Sequence, residues 1–105
     1  MFRVKVIFLS LATLFFAVSL AMAHTPLCFC WDNGDGTITC EGGFSDGSSA
    51  SRVKIYVKDK EGKELIKGKM SELSEFSFKK PNKDYTVTFD AGAGHRIDIE
   101  GKDIF

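Results

Sequence analysis

The sequence predicts an all-β protein, a small antiparallel β-sandwich of about seven short strands. Three observations predict this fold class. After residue 24, most segments alternate apolar and polar residues, as strands with one buried face do. Clusters of Gly, Asp, Asn, Ser and Pro separate these segments at intervals of roughly 8–12 residues, which is typical of sandwiches. No stretch of this part has the extended periodicity of an amphipathic helix.

Each predicted strand follows from its own alternation. In the segment 52–58, Val53, Ile55 and Val57 share one face and leave the polar side chains on the other. The other alternating segments are 27–31, 38–40, 75–79, 85–90 and 96–100, with 63–68 as a weaker candidate. Turn signals separate them at 32–36, 45–49, 59–62, 81–84 and 92–94. These elements together predict one β-sandwich domain over residues 24–105.

Residues 1–23 form a separate segment that predicts a cleaved signal peptide. This segment holds 18 of the 46 hydrophobic residues in the chain. Arg3 and Lys5 make its start positive, an apolar run follows, and the small residues Ala21 and Ala23 stand where a signal peptidase cleaves. The alternative is an uncleaved transmembrane anchor, because the run is close to spanning length. Cleavage predicts a periplasmic protein, or a secreted one where no outer membrane exists.

Charge, cysteine content and motifs narrow the function classes. The chain has 14 basic and 14 acidic residues, so its net charge gives no reason to expect nucleic acid as a partner. An exported protein meets an oxidising compartment, in which Cys28, Cys30 and Cys40 are able to pair. No nucleophile-elbow, zinc-protease or phosphate-loop motif is present, so we expect a protein that is not an enzyme.

The three cysteines allow two interpretations. One is a structural disulfide that joins either Cys28 or Cys30 to Cys40 and leaves one thiol free. The other is a soft-metal site at Cys28 and Cys30, whose positions on one strand face are about 6.5–7 Å apart. As thiolates, the side chains of Cys28 and Cys30 would favour copper(I), zinc or nickel over magnesium or calcium.

The alternation in 27–31 predicts which way the first two cysteines point. Its three large apolar residues are expected to face the core, which places Cys28 and Cys30 on the opposite face. On the next strand, Ile38 marks the core face and indicates that Cys40 points inward. Regular strands would then place Cys40 opposite an apolar residue. A bulge in the intervening turn would be needed to bring it opposite a cysteine.

Several segments in the same order resemble a known family. The segments 40–47, 53–57, 59–65, 75–78 and 85–87 together look like a carboxypeptidase regulatory-like domain. Domains of that family are transthyretin-like, seven-stranded sandwiches with an Ig-like architecture. The resemblance covers nearly all of the chain after residue 23.

A narrower resemblance concerns three features. His24 at the new N-terminus, the turn 44–47 and the segment 90–96 are similar to those of small periplasmic accessory proteins encoded beside nickel and cobalt energy-coupling-factor transporters. This resemblance implies that the protein binds a metal ion, or hands it over, outside the membrane. It implies His24 and His95 as metal ligands and the membrane subunits of a metal transporter as partners.

Two positions depart from that family's pattern. A second histidine commonly follows two residues after the first, and Pro26 stands there in this sequence. The turn before Phe76 usually carries glycine, and Ser74 stands there. The pair Cys28 and Cys30 is an addition to the histidine pattern.

The residues and the resemblance together predict a transition-metal site at His24, Cys28, Cys30 and His95. After cleavage, His24 would offer both its imidazole and a free α-amine, whose pKa near 8 lets a metal displace the proton. The glycines before His95 allow close backbone approach. Nickel or cobalt is the expected ion, and copper and zinc are the alternatives. Two other hypotheses remain, namely a disulfide-stabilised exported interaction module without metal and a thiol redox protein.

Overall fold

The structure is a computed structural model that describes residues 24–105, and the predicted signal peptide lies outside the described residues. Seven strands and one short 3-10 turn follow one another in this range. They are β1 (Pro26–Asp32), β2 (Thr37–Phe44), β3 (Lys54–Asp59), β4 (Glu64–Lys69), β5 (Glu75–Lys79), β6 (Tyr85–Asp90), β7 (Arg96–Glu100) and the turn Gly101–Asp103. Within residues 24–105, no helix has the length and apolar character needed to cross a membrane.

The strands form two antiparallel sheets. One sheet has the order β1-β2-β5 and the other has the order β4-β3-β6-β7. Most fully buried side chains lie between the sheets on alternate positions of the central strands, since burying one face of each sheet is what the alternation requires. Those without measurable exposure are Ile38, Cys40, Ile55, Val57, Val87 and Phe89 on the strands and Ala50 in the loop before β3. The predicted all-β antiparallel sandwich of seven strands is therefore confirmed.

The weakest predicted strand is present as β4. Its alternation is blurred because Leu65 and Ile66 are adjacent, and both are half-buried. The pairing of β3 with β4 changes register between Val57 and Lys58, so that Val57 lies opposite Ile66 and Lys58 lies opposite Glu64. Such an irregularity inserts one unpaired residue in a strand, which accounts for the two adjacent apolar residues.

The predicted orientation of β1 is wrong. Cys28 and Cys30 pack against the core, whereas Leu27 is 47% exposed and Phe29 is 61% exposed on the outer face. The pairing of β1 with β2 is regular and places Cys30 opposite Cys40 without any bulge. A covalent bridge inside the sandwich decides the orientation, and cysteine is itself among the residue types most often buried.

Gly42 helps to fix the same orientation from the side of β2. It lies opposite Cys28, on the inner face that Ile38 and Cys40 also occupy. A Cβ atom at Gly42 would lie 2.6 Å from the ring of Phe89, so only glycine leaves room for that aromatic side chain. The inner face of β2 is therefore set by close packing against β6.

One end of the sandwich gathers the starts of β1 and β7. The rings of Phe44, at the end of β2, and Phe89, near the end of β6, have centroids 6.4 Å apart. Since β1 and β7 run antiparallel to these two strands, both begin at this end. We call it the upper end, comprising residues 24–26, 44–48 and 90–96. At the opposite end, Asp32 N–H donates to the carbonyl of Phe105 at 3.0 Å.

Candidate functional site

His24 is held against the turn that follows β2. Its Nδ1 lies 2.8 Å from Oδ2 of Asp46, and its ring packs edge-on against Phe44 with centroids 6.3 Å apart. The next residue, Thr25, exchanges two hydrogen bonds with Ser45: its N–H donates to Oγ at 3.1 Å, and its carbonyl accepts from the Ser45 N–H at 2.8 Å. His24 is exposed but anchored through its own side chain and through its neighbour.

Asp46 is ionised and fixed by the turn in which it lies. Its Oδ1 accepts hydrogen bonds from the hydroxyl of Ser48 at 2.6 Å and from the Ser48 N–H at 2.9 Å. These two bonds are the chief reason that the pKa of the Asp46 carboxyl lies below its usual value. The other oxygen remains free to accept the proton of the His24 ring.

His95 lies in the turn between β6 and β7, also at the upper end. Its N–H donates to the carbonyl of Gly92 at 2.9 Å, and its own carbonyl accepts from Ala91 at 3.0 Å. The ring is exposed, and Nδ1 lies 3.1 Å from the carbonyl of Ala93. Gly92 and Gly94 have φ of 113° and 77°, values that L side chains rarely adopt, so both glycines are required for this turn.

The charge next to His95 is partly neutralised within the turn. Oδ1 of Asp90 accepts from Nε of Arg96 at 3.2 Å and from the N–H of Gly92 at 3.0 Å. The pKa of the Asp90 carboxyl lies below its usual value, chiefly because of the Gly92 bond and also because of Arg96. The guanidinium of Arg96 is thus directed toward a carboxylate.

The two histidines share one hydrogen-bonding arrangement. A carboxylate and a carbonyl oxygen can only accept, so Nδ1 is the donor in both His24 and His95. In each neutral ring the lone pair is then on Nε2, which faces no recorded protein hydrogen bond among residues 24–105. Metal-bound histidines usually donate their other ring N–H to a carboxylate or a backbone carbonyl, which orients the ring. Both partners are present here, one for each ring.

Cys30 and Cys40 form a disulfide that joins β1 to β2, with a Cα–Cα distance of 4.0 Å. Of the two pairings that the sequence left open, the one between Cys30 and Cys40 is present. A sulfur in this bridge is not a thiolate, so Cys30 offers no metal ligand while the bridge is intact.

Cys28 is the free cysteine of the described chain and lies on the inner face of β1. Desolvation by the surrounding residues raises the pKa of its thiol to about 11. The thiol form therefore predominates at neutral pH, and thiols are poor nucleophiles and poor metal ligands.

The four predicted ligands are thus not brought together as one group. His24 and His95 lie at the same end, whereas Cys28 and Cys30 face the interior. Among residues 24–105, no set of three or more His, Cys, Asp or Glu side chains is placed to hold an ion. Sequence reasoning missed Asp46 as the partner of His24. The signal that could have found it is the Ser-Asp-Gly turn 45–47, which places a fixed carboxylate beside the residues that precede β1.

The described chain is a disulfide-bridged sandwich of two antiparallel sheets with two oriented surface histidines at one end. Comparisons with protein-family models, with curated proteins and with solved structures found no match to the chain. Its family is therefore not established by these comparisons, and the functional argument depends on the geometry of the site.

Proposed function

We propose that the protein is an exported metal-binding accessory domain that binds nickel or cobalt and hands the ion to the membrane subunits of an uptake system. The observation that carries the proposal is the common arrangement of His24 and His95. Each Nδ1 is committed as a donor, and each Nε2 is free at the upper end. Orientation of this kind lowers the entropic cost of placing two imidazoles on one ion.

The donor set of the proposal is narrower than the one predicted from the sequence. Cys30 is in the disulfide, and Cys28 is a half-buried thiol with a raised pKa, so neither is used. A site made of imidazole nitrogens without thiolate suits divalent nickel, cobalt, zinc and copper better than copper(I). The resemblance to nickel and cobalt accessory proteins favours the first two.

The α-amine that cleavage would create offers a second way to use His24. An imidazole and the amine of the same residue chelate an ion through Nδ1, the ring atom nearer the backbone. Asp46 holds that atom, so the chelate requires this 2.8 Å contact to break. Ligation through Nε2 keeps the contact and leaves the amine out. We propose ligation through Nε2, which the ion pair supports.

Two histidine ligands leave most coordination positions of the ion open to water or to groups of another protein. Structural metal sites close four positions, whereas sites that exchange a ligand keep some open. An ion held in this way leaves readily when a partner offers more donors. This property suits transfer to a membrane transporter better than permanent storage.

Metal titration tests the proposal. The protein is expressed from the full chain, its N-terminus is identified by mass spectrometry, and nickel, cobalt, zinc and copper are added in turn. Calorimetry gives the affinity, and NMR of the ring nitrogens reports which atom binds. We expect Nε2 shifts in both histidines and a loss of affinity of roughly tenfold or more in His24→Ala and in His95→Ala.

Matched controls separate the ligand arrangements. Cys28→Ser is expected to leave the affinity unchanged, because that thiol faces the core. A variant that retains Ala23 before His24 moves the amine away, so unchanged affinity supports ligation through Nε2, and lost affinity supports the chelate. No binding up to millimolar metal, or binding that neither histidine substitution weakens, would contradict the proposal.

A disulfide-stabilised exported interaction module is the second candidate. The observation that favours it is the Cys30–Cys40 bridge, which joins two strands of a small sandwich. This candidate predicts one thiol accessible to alkylation after unfolding, an intact bridge in the native protein and no specific metal binding. The thiol redox hypothesis needs an exchanging pair at Cys28 and Cys30, and the raised pKa of Cys28 lends it no support.

A further inference from the structure

β1 differs from the other edge strands of the described sheets. The strands at the edges are β1 and β5 in one sheet and β4 and β7 in the other. The segments of β4, β5 and β7 each carry at least two charged residues, which discourage pairing with another chain. β1 carries Pro26 at its start and one charged residue, Asp32, at its end, whereas residues 27–31 between them carry neither a proline nor a charge. The central part of β1 is therefore the edge segment with the least protection against a further strand.

The outer face of β1 is apolar and exposed as well. Leu27 is 47% exposed and Phe29 is 61% exposed. Leu27 lies opposite Gly43, where a Cβ atom would meet nothing within 4 Å, so the surface beside it is open. Exposed apolar side chains next to an uncharged edge are typical of a contact surface.

The hydrogen bonds of β1 reveal which backbone groups point away from β2. Asn33 N–H donates to the Thr37 carbonyl, so the odd-numbered residues of β1 bond toward β2. Asp32 N–H instead donates outward to Phe105. By alternation, the N–H and C=O groups of Cys28 and Cys30 also point outward, and among residues 24–105 no backbone group pairs with them.

We propose that β1 is a homodimer interface, at which a second copy adds its own β1 antiparallel about a two-fold axis beside Phe29. In this register Cys28 lies opposite Cys30 of the second copy, so the outward backbone groups satisfy one another in four hydrogen bonds. The sheet becomes continuous across the two copies, with the strand order β5-β2-β1-β1-β2-β5. A closed two-fold contact of this kind uses the same surface on both copies.

The side chains match in the same register. Phe29 of one copy lies opposite Phe29 of the second copy. This pair is at a non-hydrogen-bonded position, where opposing Cα atoms are about 4.5 Å apart and side chains are closest. Leu27 faces Trp31 of the second copy. Aromatic and aliphatic cross-strand pairs of this kind stabilise sheets. In the sequence Leu-Cys-Phe-Cys-Trp, a cysteine stands on each side of Phe29 and a large apolar residue stands beyond each cysteine. A two-fold axis at any other residue of β1 would not match like residues in this way.

The two ends of β1 contribute less to this pairing than its centre. Antiparallel pairing brings Pro26 of one copy opposite Asp32 of the other. The Asp32 N–H already donates to the Phe105 carbonyl at 3.0 Å, and the Asp32 carboxylate already pairs with Nζ of Lys80 at 3.0 Å. Pairing at these ends therefore requires the second copy to displace Phe105 from the edge of β1, so the contact depends chiefly on residues 27–31.

The size of the contact predicts a weak dimer. The five residues 27–31, which provide the free edge, span about 16 Å. With its exposed side chains, the pairing covers on the order of 700 Å² in both copies together, below the ~1,200 Å² of stable complexes. We therefore expect a dissociation constant of roughly 100 μM, and a monomer at low micromolar concentration.

Disulfide trapping tests the register. The full chain is expressed with Cys28→Ser and either Phe29→Cys or Leu27→Cys, and oxidised at about 200 μM, above the expected dissociation constant. Position 29 faces itself within the Cα range of a disulfide, whereas the two copies of position 27 are offset by about 13 Å. Rapid dimer formation by Phe29→Cys alone, with the Cys30–Cys40 bridge intact by peptide mapping, is the expected result. Equal rates in both variants, or none in Phe29→Cys, overturn the proposal.

Sedimentation of unmodified protein gives an independent measurement. Phe29→Lys places two like charges at the two-fold axis and is expected to raise the dissociation constant at least tenfold. Leu73→Lys is the matched control, because Leu73 is 79% exposed outside β1. A monomer at all concentrations up to 1 mM, or equal effects of both substitutions, would refute the β1 interface.

Discussion

Removal of the Cys30–Cys40 bridge is expected to destabilise the protein by about 3 kcal/mol. The bridge closes a loop whose ends are 10 residues apart. For a loop of this length, the chain-entropy relation gives a loss of about 9 cal/mol/K in the unfolded state, or roughly 2.7 kcal/mol at 25 °C. For a domain of this size, each kcal/mol shifts Tm by about 4–8 °C, so the reduced protein is expected to melt roughly 11–21 °C lower.

Urea and thermal unfolding followed by circular dichroism measure this difference. The oxidised and the reduced protein of unchanged sequence are compared first, because reduction removes the bridge and no atoms of the core. The variant with Cys30→Ala and Cys40→Ala is expected to lose somewhat more, since Cys40 has no exposed surface. Cys28→Ala is the control, in which the bridge persists. A difference below about 1 kcal/mol between oxidised and reduced protein would refute the reasoning from loop entropy.

Three further predictions concern packing, acid and thiol reactivity. Gly42→Ala is expected to cost roughly 1–3 kcal/mol in urea unfolding, whereas Gly43→Ala on the open face costs little; equal costs would contradict the packing argument. The hydrogen bonds from Ser48 lower the folded-state pKa of Asp46, so its stabilising effect is present above the unfolded pKa near 4 and is lost as pH falls through the folded value. In Asp46→Asn, the free energy of unfolding is therefore expected to fall less steeply as the pH is lowered below about 4. An unchanged acid dependence would contradict a stabilising role of the Asp46 carboxylate. Alkylation of Cys28 in the native protein is expected to accelerate about tenfold per pH unit between about pH 8 and 10, because its pKa is about 11; a plateau in that range would contradict the raised value.

Most of the fold could be predicted from the sequence because alternation records burial directly. Val53, Ile55 and Val57 show it best, since β3 is central in its sheet and only its inner face is apolar. The edge strand β4 was harder to predict, because its register shift places Leu65 and Ile66 side by side. The orientation of β1 could not be predicted in the same way. Its larger apolar residues lie outside, and the cysteines that close the hairpin lie inside.

The candidate site was predictable only in part. His24 and His95 stand out in the sequence because the chain has two histidines, each next to a turn or a predicted cleavage site. The role of each ring nitrogen depends on atoms that only the folded chain brings close. Asp46 is 22 residues from His24 in the sequence, and the return of β2 alone places the two side chains 2.8 Å apart.

The bridged hairpin has a consequence for the order in which the chain acquires its structure. β1 and β2 are joined by a short turn and are the first strands of the described chain, whereas β5, the other neighbour of β2, begins 31 residues after β2 ends. If the chain is exported N-terminus first, as proposed above, Cys30 and Cys40 reach the oxidising side before most of the core. Their contact is local and forms quickly. In that case the bridge closes early, and it fixes the inner and outer faces of β1 before the second sheet forms.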